Sequence, residues 1–215
     1  MSNREIFIIV SAERHGTDTL CKKFEELEDS FCFFEAFNCD DQISGRHGLF
    51  PKFMNKKRNS SKDYSLFLKN VFNIILPKHK KISFKLFPGH ISGINFYETD
   101  DPRVFKDFHF LLNLDIKTTF ILLKRDLEDA FASYFRACTT GDWTNNRSLG
   151  ESSWRSEWVK EECEVISKKD YANKLNQWFT AWENILKQKS LNFKQLNFCD
   201  LIQKDFCLSN FLDQK

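Results

Sequence analysis

The segment Phe7–Leu20, with the sequence FIIVSAERHGTDTL, constrains the fold more than any other part of the chain. A run of Phe, Ile and Val ends at Ser11, and a single glycine, Gly16, precedes an amphipathic pattern that begins at about Thr17. A buried strand, a tight glycine turn and a helix start, in this order, direct backbone N–H groups and the positive end of the helix dipole at the turn. The segment therefore predicts an anion-binding loop between a strand and a helix.

Side chains of this loop favour the same interpretation. Arg14 supplies a fixed positive charge, and the hydroxyls of Thr17 and Thr19 supply hydrogen-bond donors. The loop lacks the Gly-Lys-Ser/Thr ending with which nucleotide-hydrolysing P-loops bind phosphate and magnesium, because Gly16 is followed by Thr-Asp-Thr. We therefore expect a phosphate whose chemistry does not need that metal. A plain turn without a ligand is the alternative.

Short apolar runs alternate with amphipathic stretches along the rest of the chain, and the runs are rich in Ile, Phe, Leu and Val, as in parallel sheets covered on both faces. The predicted strands are Glu5–Ser11, Phe31–Glu35, Ile82–Phe87, Thr118–Lys124 and Phe193–Phe198. The predicted helices are Thr17–Glu28, Lys62–Leu76, Pro102–Leu114, Leu127–Cys138 and Tyr171–Gln188. Asp126 is the expected N-cap of the fourth helix. This alternation predicts an α/β three-layer sandwich, in which helices cover both faces of a central parallel sheet of about five strands.

Length and composition exclude several classes of protein. A chain of 215 residues suits a single domain over residues 1–215, and a net charge of +2 argues against a broad nucleic-acid-binding surface. The seven cysteines include no CxxC pair, which is typical of reduced thiols rather than of a disulfide framework or a zinc site. No apolar run approaches the roughly 20 residues of a membrane span, and the first strand begins too early for a signal peptide. We therefore expect a cytoplasmic protein with no transmembrane segment and no metal; a homodimer stays open.

A second anion-binding pattern lies at Lys124–Trp143. A strand ends just before Arg125, and Ser133 follows eight residues after that arginine on the next helix. The planar guanidinium of an arginine suits a terminal phosphate, and a serine hydroxyl completes the contacts. Because the carboxyl ends of parallel strands face one crevice, we expect this pair beside the loop of Arg14. A surface ion pair between Arg125 and Asp126, with the serine uninvolved, is the alternative.

The two patterns resemble those of sulfotransferases that use 3′-phosphoadenosine 5′-phosphosulfate (PAPS). The first resembles the family's 5′-phosphosulfate loop, roughly Arg/Lys-Ser-Gly-Thr-x-x-Leu, and the second resembles its 3′-phosphate motif. Ala130–Trp143 is especially similar to the bacterial trehalose and glycolipid sulfotransferases. Three further segments resemble the family in order along the chain, namely FCFFEAFN at Phe31–Asn38, FKLFPGHI at Phe84–Ile91 and LNFCDLI at Leu196–Ile202. The chain departs from the family pattern at His15, which occupies the usual serine position.

The resemblance implies a P-loop NTPase-like sulfotransferase fold and transfer of the sulfuryl group of PAPS to an acceptor hydroxyl, with 3′-phosphoadenosine 5′-phosphate (PAP) as the product. The acceptor is expected to be a small molecule or glycan, with a carbohydrate or glycolipid foremost. The residues that the resemblance assigns to the donor are Arg14, His15, Gly16, Thr17, Asp18, Thr19, Arg125 and Ser133. Two other functions stay open at this point: a P-loop kinase, and a non-catalytic nucleotide-binding relative of the fold.

Four residues are candidates for the chemical step: Glu35, Arg14, Lys85 and His90. The resemblance implies an acid at Glu35, where phenylalanine neighbours would desolvate the carboxylate, as suits a general base. Lys85 is expected either to hold the sulfate or to order that carboxylate, and His90 is the alternative base. Trp143 is expected to contact the acceptor together with Glu35 and His90. The competing interpretations are a surface glutamate, a turn histidine and a core tryptophan.

Overall fold

The structure is a computed structural model that describes residues 4–35, 79–88, 109–114, 116–140 and 166–214. The strands in these ranges are β1 (Glu5–Val10), β2 (Ser30–Cys32), β3 (Lys81–Leu86), β4 (Lys117–Lys124) and β5 (Phe193–Asn197). The helices are α1 (Thr17–Glu25), α2 (Leu127–Thr140), α3 (Lys168–Gln188), α4 (Phe198–Leu201) and α5 (Leu208–Asp213), and a 3-10 turn spans His109–Asn113.

The five strands form one parallel sheet with the order β2-β3-β1-β4-β5. β1 lies at the centre and pairs along its whole length with both β3 and β4. Every residue of β1 after Glu5 is buried, as expected for a strand that is covered on both faces. The predicted α/β architecture with a central parallel sheet of about five strands is therefore confirmed.

Helices pack on both faces of this sheet because successive residues of a strand point to opposite sides. The even-numbered residues of β1 belong to a cluster that includes Trp178 and Trp182 of α3. The odd-numbered apolar residues belong to a second cluster that includes Leu20 and Phe24 of α1. The two clusters form the core on either side of the sheet and give the molecule its three layers.

The second strand is shorter than the sequence pattern predicts. β2 ends at Cys32 rather than Glu35, because Phe34 adopts a left-handed φ of 53° that interrupts the extended backbone. Contact with β3 continues past this point, since the Lys85 N–H donates to the Phe34 carbonyl at 2.7 Å. The prediction that Glu35 belongs to the strand is wrong; it lies in the loop that follows, still beside β3.

The predicted helix starts and ends are shifted by a few residues. α1 ends at Glu25, three residues early, and α3 begins at Lys168, three residues early, after the Ser167 hydroxyl caps it by accepting from the Asp170 N–H. At the start of α2, the Asp126 carboxylate accepts hydrogen bonds from the N–H groups two and three residues later in the chain. This arrangement confirms the predicted N-cap.

Two of the predicted helices lie wholly or mostly outside the described residues. The helix predicted at Lys62–Leu76 lies outside the described residues, as does most of Pro102–Leu114, whose described end forms the 3-10 turn. No helix in the described ranges is long and apolar enough to cross a membrane.

We predict that Gly16→Ala destabilises the fold. Gly16 has a φ of 82°, and a Cβ at this position would lie 2.1 Å from the ring of Phe198. The left-handed backbone costs alanine about 1–2 kcal/mol and the displaced ring about 1–3 kcal/mol more. Equilibrium urea denaturation should show this loss as a lower free energy of unfolding.

The ring provides a matched control for this substitution. In a Phe198→Ala background the steric part of the cost disappears and only the backbone part remains, so Gly16→Ala should be less costly there. If Gly16→Ala lowered the free energy of unfolding equally in the two backgrounds, the ring of Phe198 would not be the source of the steric cost. If Gly16→Ala were as stable as the unmodified protein, the left-handed turn at Gly16 would be contradicted as well.

Candidate functional site

The loop that follows β1 is anchored at its start by two buried hydrogen bonds. The Ser11 hydroxyl donates to the Leu123 carbonyl of β4 at 2.8 Å. The indole Nε1 of Trp178 donates to the Ser11 carbonyl at 3.0 Å. The loop therefore leaves the sheet from a position that is fixed by both β4 and α3, at the carboxyl edge where ligands of open α/β sheets bind.

The other end of the loop is Gly16, the N-cap of α1, which makes no side-chain capping hydrogen bond. The first N–H groups of a helix have no i−4 partner within the helix; here the Thr19 N–H donates to the Gly16 carbonyl at 3.1 Å, which leaves the N–H groups of Thr17 and Asp18 at the start of α1. Together with the positive end of the helix dipole, they form an arrangement that suits an anion. The strand-glycine-helix order predicted for this segment is confirmed.

Arg14 connects the loop to the second anion-binding pattern. Its Nε donates to the Ser133 hydroxyl on α2 at 3.0 Å. Its carbonyl accepts a hydrogen bond from Nη1 of Arg125 at 3.1 Å. The two segments, more than 100 residues apart in the chain, are therefore neighbours in the fold. Arg14 also has a left-handed φ of 67°, a conformation that costs energy in a non-glycine residue and is concentrated in functional loops.

Arg125 is held by an aromatic ring that the sequence analysis did not assign to the site. The guanidinium carbon lies 4.9 Å from the centre of the Phe198 ring, within the range of a cation–π contact. The same ring packs against Gly16. The Nε of Arg125 is buried and makes no hydrogen bond to the part of the chain that the structure describes. The only sequence signal for Phe198 is its place in the late segment LNFCDLI.

His15 is buried between the loop and the turn after β4. Its Nδ1 accepts a hydrogen bond from the Arg125 N–H at 3.2 Å, and its ring lies 5.8 Å from the ring of Phe179. Burial, followed by the charge of Arg125, lowers the pKa of His15 from 6.5 to about 4. The imidazole is therefore neutral near pH 7 and adds no charge to the site. The hydrogen bond that it accepts from the Arg125 N–H instead fixes the loop relative to Arg125.

Lys85 provides a third cation, near the end of β3. Its ammonium lies 3.2 Å from the Glu35 carboxylate and also contacts the carboxylate of Asp18. The rings of Phe34 and Phe87 lie within 5.6 Å of it. Burial lowers the pKa of Lys85, but nearby anionic groups, Glu35 foremost, more than offset this effect and hold its pKa above the usual value. The ammonium is therefore charged throughout the physiological range.

Glu35 is partly exposed at the edge of the site, with 19% of its side chain accessible. Lys85 forms an ion pair with this carboxylate. This contact has the geometry required if Lys85 orders the carboxylate, which is one of the two roles that the sequence analysis left open for the lysine. A carboxylate held in this way has oxygen atoms that can accept a proton.

The remaining candidate residues divide into two groups. Thr17 is buried in the first turn of α1, Thr19 is partly buried there, and the side chain of Asp18 is mostly exposed. His90 and Trp143 lie outside the described residues. Among the residues that the structure does describe, no three His, Cys, Asp or Glu side chains are grouped in a way that would hold a metal.

A scan against protein-family models finds no match for the chain, and a search of curated proteins finds none either. Among solved structures, the thymidylate kinase of Candida albicans is 13% identical, with 90% of this chain and 84% of that chain covered and a TM-score of 0.43. The thymidylate kinase of Ehrlichia chaffeensis is 11% identical, with 97% and 95% covered and a TM-score of 0.39. At these TM-scores neither likeness bears on what this chain does.

We predict that His15 makes the protein less stable in acid. The pKa of His15 is about 4 in the folded protein, whereas its ordinary value, which applies to the unfolded chain, is 6.5. As the pH falls, the imidazole is therefore protonated in the unfolded chain before it is protonated in the folded protein. The contribution of the neutral imidazole is complete above pH 6.5 and is lost as the pH falls through about 4. Within that window the loss approaches about 1.4 kcal/mol for each pH unit.

The variant His15→Ser isolates this contribution, because it removes the titrating group at the same position. Urea denaturation across the window should show a smaller fall in the free energy of unfolding for the variant than for the unmodified protein. Identical pH dependence in the two proteins would show that His15 is accessible to protons in the folded state.

Proposed function

We propose that the protein is a PAPS-dependent sulfotransferase that transfers a sulfuryl group to a hydroxyl of a carbohydrate or glycolipid. The observation that carries the proposal is the meeting of Arg14, Arg125 and Ser133 beside the uncapped start of α1. Two separate anion-binding patterns in one place suit a ligand that carries two separate anionic groups. A nucleotide with phosphates at both its 3′ and 5′ positions is such a ligand.

In this proposal the 5′-phosphosulfate is bound at the start of α1. Backbone amides, the helix dipole and Arg14 supply the positive potential there. The 3′-phosphate is bound by Arg125 and Ser133, and the buried Nε of Arg125 supports this role because it lacks a hydrogen-bond acceptor among the described residues. Phe198 keeps the guanidinium plane in place, which reduces the entropy that ligand binding would otherwise cost.

The proposed chemistry is an in-line transfer. The acceptor oxygen forms a bond to sulfur while the bond between sulfur and the 5′-phosphate oxygen breaks, and PAP leaves. Charge that develops on the leaving oxygen is stabilised by the start of α1 and by Arg14. Glu35 accepts the proton of the acceptor hydroxyl, and Lys85 orients its carboxylate. A sulfuryl group carries less charge than a phosphoryl group, so a divalent cation is less necessary.

A magnesium-dependent nucleotide kinase and a non-catalytic nucleotide-binding relative of the fold are the alternatives. A P-loop kinase has Lys and then Ser or Thr after the loop glycine, the latter as a magnesium ligand. In this chain Thr17 and Asp18 occupy those two places. The buried cation of the site, Lys85, instead comes from β3. These features support the sulfotransferase proposal over the kinase.

We predict that PAP binds and raises the melting temperature, because a ligand of the folded state stabilises it by mass action. Adenosine 5′-phosphate should bind much more weakly, since it offers no 3′-phosphate to Arg125 and Ser133. Replacing Arg125 with Ala should weaken PAP binding by about 2–3 kcal/mol, as measured by titration calorimetry. Arg136→Ala removes an equal charge from an exposed position on α2 and should have little effect. Equal binding of the two nucleotides would remove the assignment of Arg125 and Ser133.

We also predict that Glu35→Gln lowers turnover by about 10²–10⁴-fold while PAP affinity stays nearly unchanged, because the amide keeps its size but accepts no proton. Transfer of radiolabelled sulfate from PAPS to trehalose or glycolipids measures this loss. Glu28→Gln, at an exposed position two residues before β2, is the matched control and should keep full turnover.

Two outcomes of the same assay would count against the proposal. If Glu35→Gln kept its turnover, the carboxylate would not be the base. If EDTA abolished transfer and magnesium restored it, the metal-free chemistry of the proposal would be wrong, whereas we expect activity to persist with the chelator.

A further inference from the structure

Asp18 places a carboxylate on the buried ammonium of Lys85. Asp18 is the second residue of α1, and 71% of its side chain is accessible, compared with 3% for Lys85. The aspartate therefore contacts the ammonium from the exposed side of the site. On the other side Lys85 is bound by Glu35 at 3.2 Å.

This carboxylate uses the same two sources of positive potential that an anionic ligand would use. A negative charge in the first turn of a helix is stabilised by the positive end of the dipole and by the first N–H groups. Lys85 supplies the second source, a cation that is almost removed from water. In chemical terms, the Asp18 carboxylate stands in the place of a bound phosphate or sulfate oxygen.

A buried ammonium needs an anionic partner at all times, because an unpaired charge in the interior is costly. Asp18 and Glu35 provide two partners when no ligand is present. An anion that enters at the start of α1 is able to replace Asp18 on the ammonium without breaking the contact with Glu35. The exposed aspartate then turns toward water at low cost.

We infer that Asp18 is an internal competitor for the ligand's anionic group: it occupies Lys85 in the free protein and is displaced when a phosphate or sulfate group binds at the start of α1. This inference rests on the proposed function, because that function places an anion there. It also assigns a specificity role to Asp18. Singly charged anions gain little from displacing an equal charge, so the site favours ligands with several negative charges.

Removing the competing charge should strengthen anion binding. The full chain and its Asp18→Asn variant are titrated with inorganic pyrophosphate, a probe that needs only the start of α1 and its cations. We expect Asp18→Asn to bind pyrophosphate about tenfold more tightly or better. Glu26→Gln removes the same charge roughly 12 Å away at the other end of α1, and its affinity should stay within about twofold of the unmodified protein.

A Lys85 variant distinguishes whether Asp18 affects anion binding through its contact with the ammonium or through its charge alone. In a Lys85→Met background, Asp18→Asn should no longer improve binding, since there is no ammonium to release. If Lys85→Met does not fold, the same question is answered at 1 M NaCl, where the screening length is about 3 Å. A gain that comes from a partner exchange on the buried ammonium persists there, and a gain from distant charge repulsion disappears.

Unchanged or weaker pyrophosphate binding by Asp18→Asn would overturn the inference, and so would the absence of binding to both proteins. An undiminished gain in the Lys85→Met background would overturn it as well. Different results would contradict the proposed function, namely equal binding of PAP and adenosine 5′-phosphate, or the absence of sulfuryl transfer from PAPS. The two failures are therefore distinguishable.

Discussion

The left-handed turn at Gly16 is the constraint on which the rest of the structure depends. Gly16, with a φ of 82°, leads the loop after the central strand into α1, and the ring of Phe198 packs where any side chain would lie. α1 starts there without a side-chain cap from Gly16, on the loop that follows the central strand. Arg14 and His15 take their positions from the same turn, and each of them contacts the segment that follows β4.

Two of the three cations of the site, Lys85 and Arg125, are held in different ways, and this difference suggests different roles. Lys85 is buried and paired with carboxylates, so its charge is fixed and its first effect is to orient them. Among the residues that the structure describes, Arg125 is held by an aromatic ring and by a loop carbonyl, neither of which neutralises its charge. A cation that is positioned but not neutralised keeps its attraction for a ligand. The structure thus separates a cation that organises side chains from one that is available to an anion.

Much of the fold could be predicted from the sequence, because burial on both faces leaves continuous apolar runs and the Asp126 cap has a local chemical signature. The site could be predicted only where it depends on local sequence, as in the order of strand, glycine and helix at Gly16. The left-handed φ of Phe34 leaves no trace in an apolar run, so the sequence pattern predicts a strand that is too long. The packing of Phe198 and the contact between Asp18 and Lys85 join segments that are distant in the chain, and no spacing rule reveals such pairs.

The most direct test of the account is a crystal structure of the protein with PAP bound. The account predicts that the 5′-phosphate accepts hydrogen bonds from the first amides of α1 and that the 3′-phosphate lies on Arg125 and Ser133. A nucleotide bound elsewhere on the sheet edge, or one whose 3′-phosphate lies in solvent away from Arg125, would contradict the central claim that the two patterns form one site.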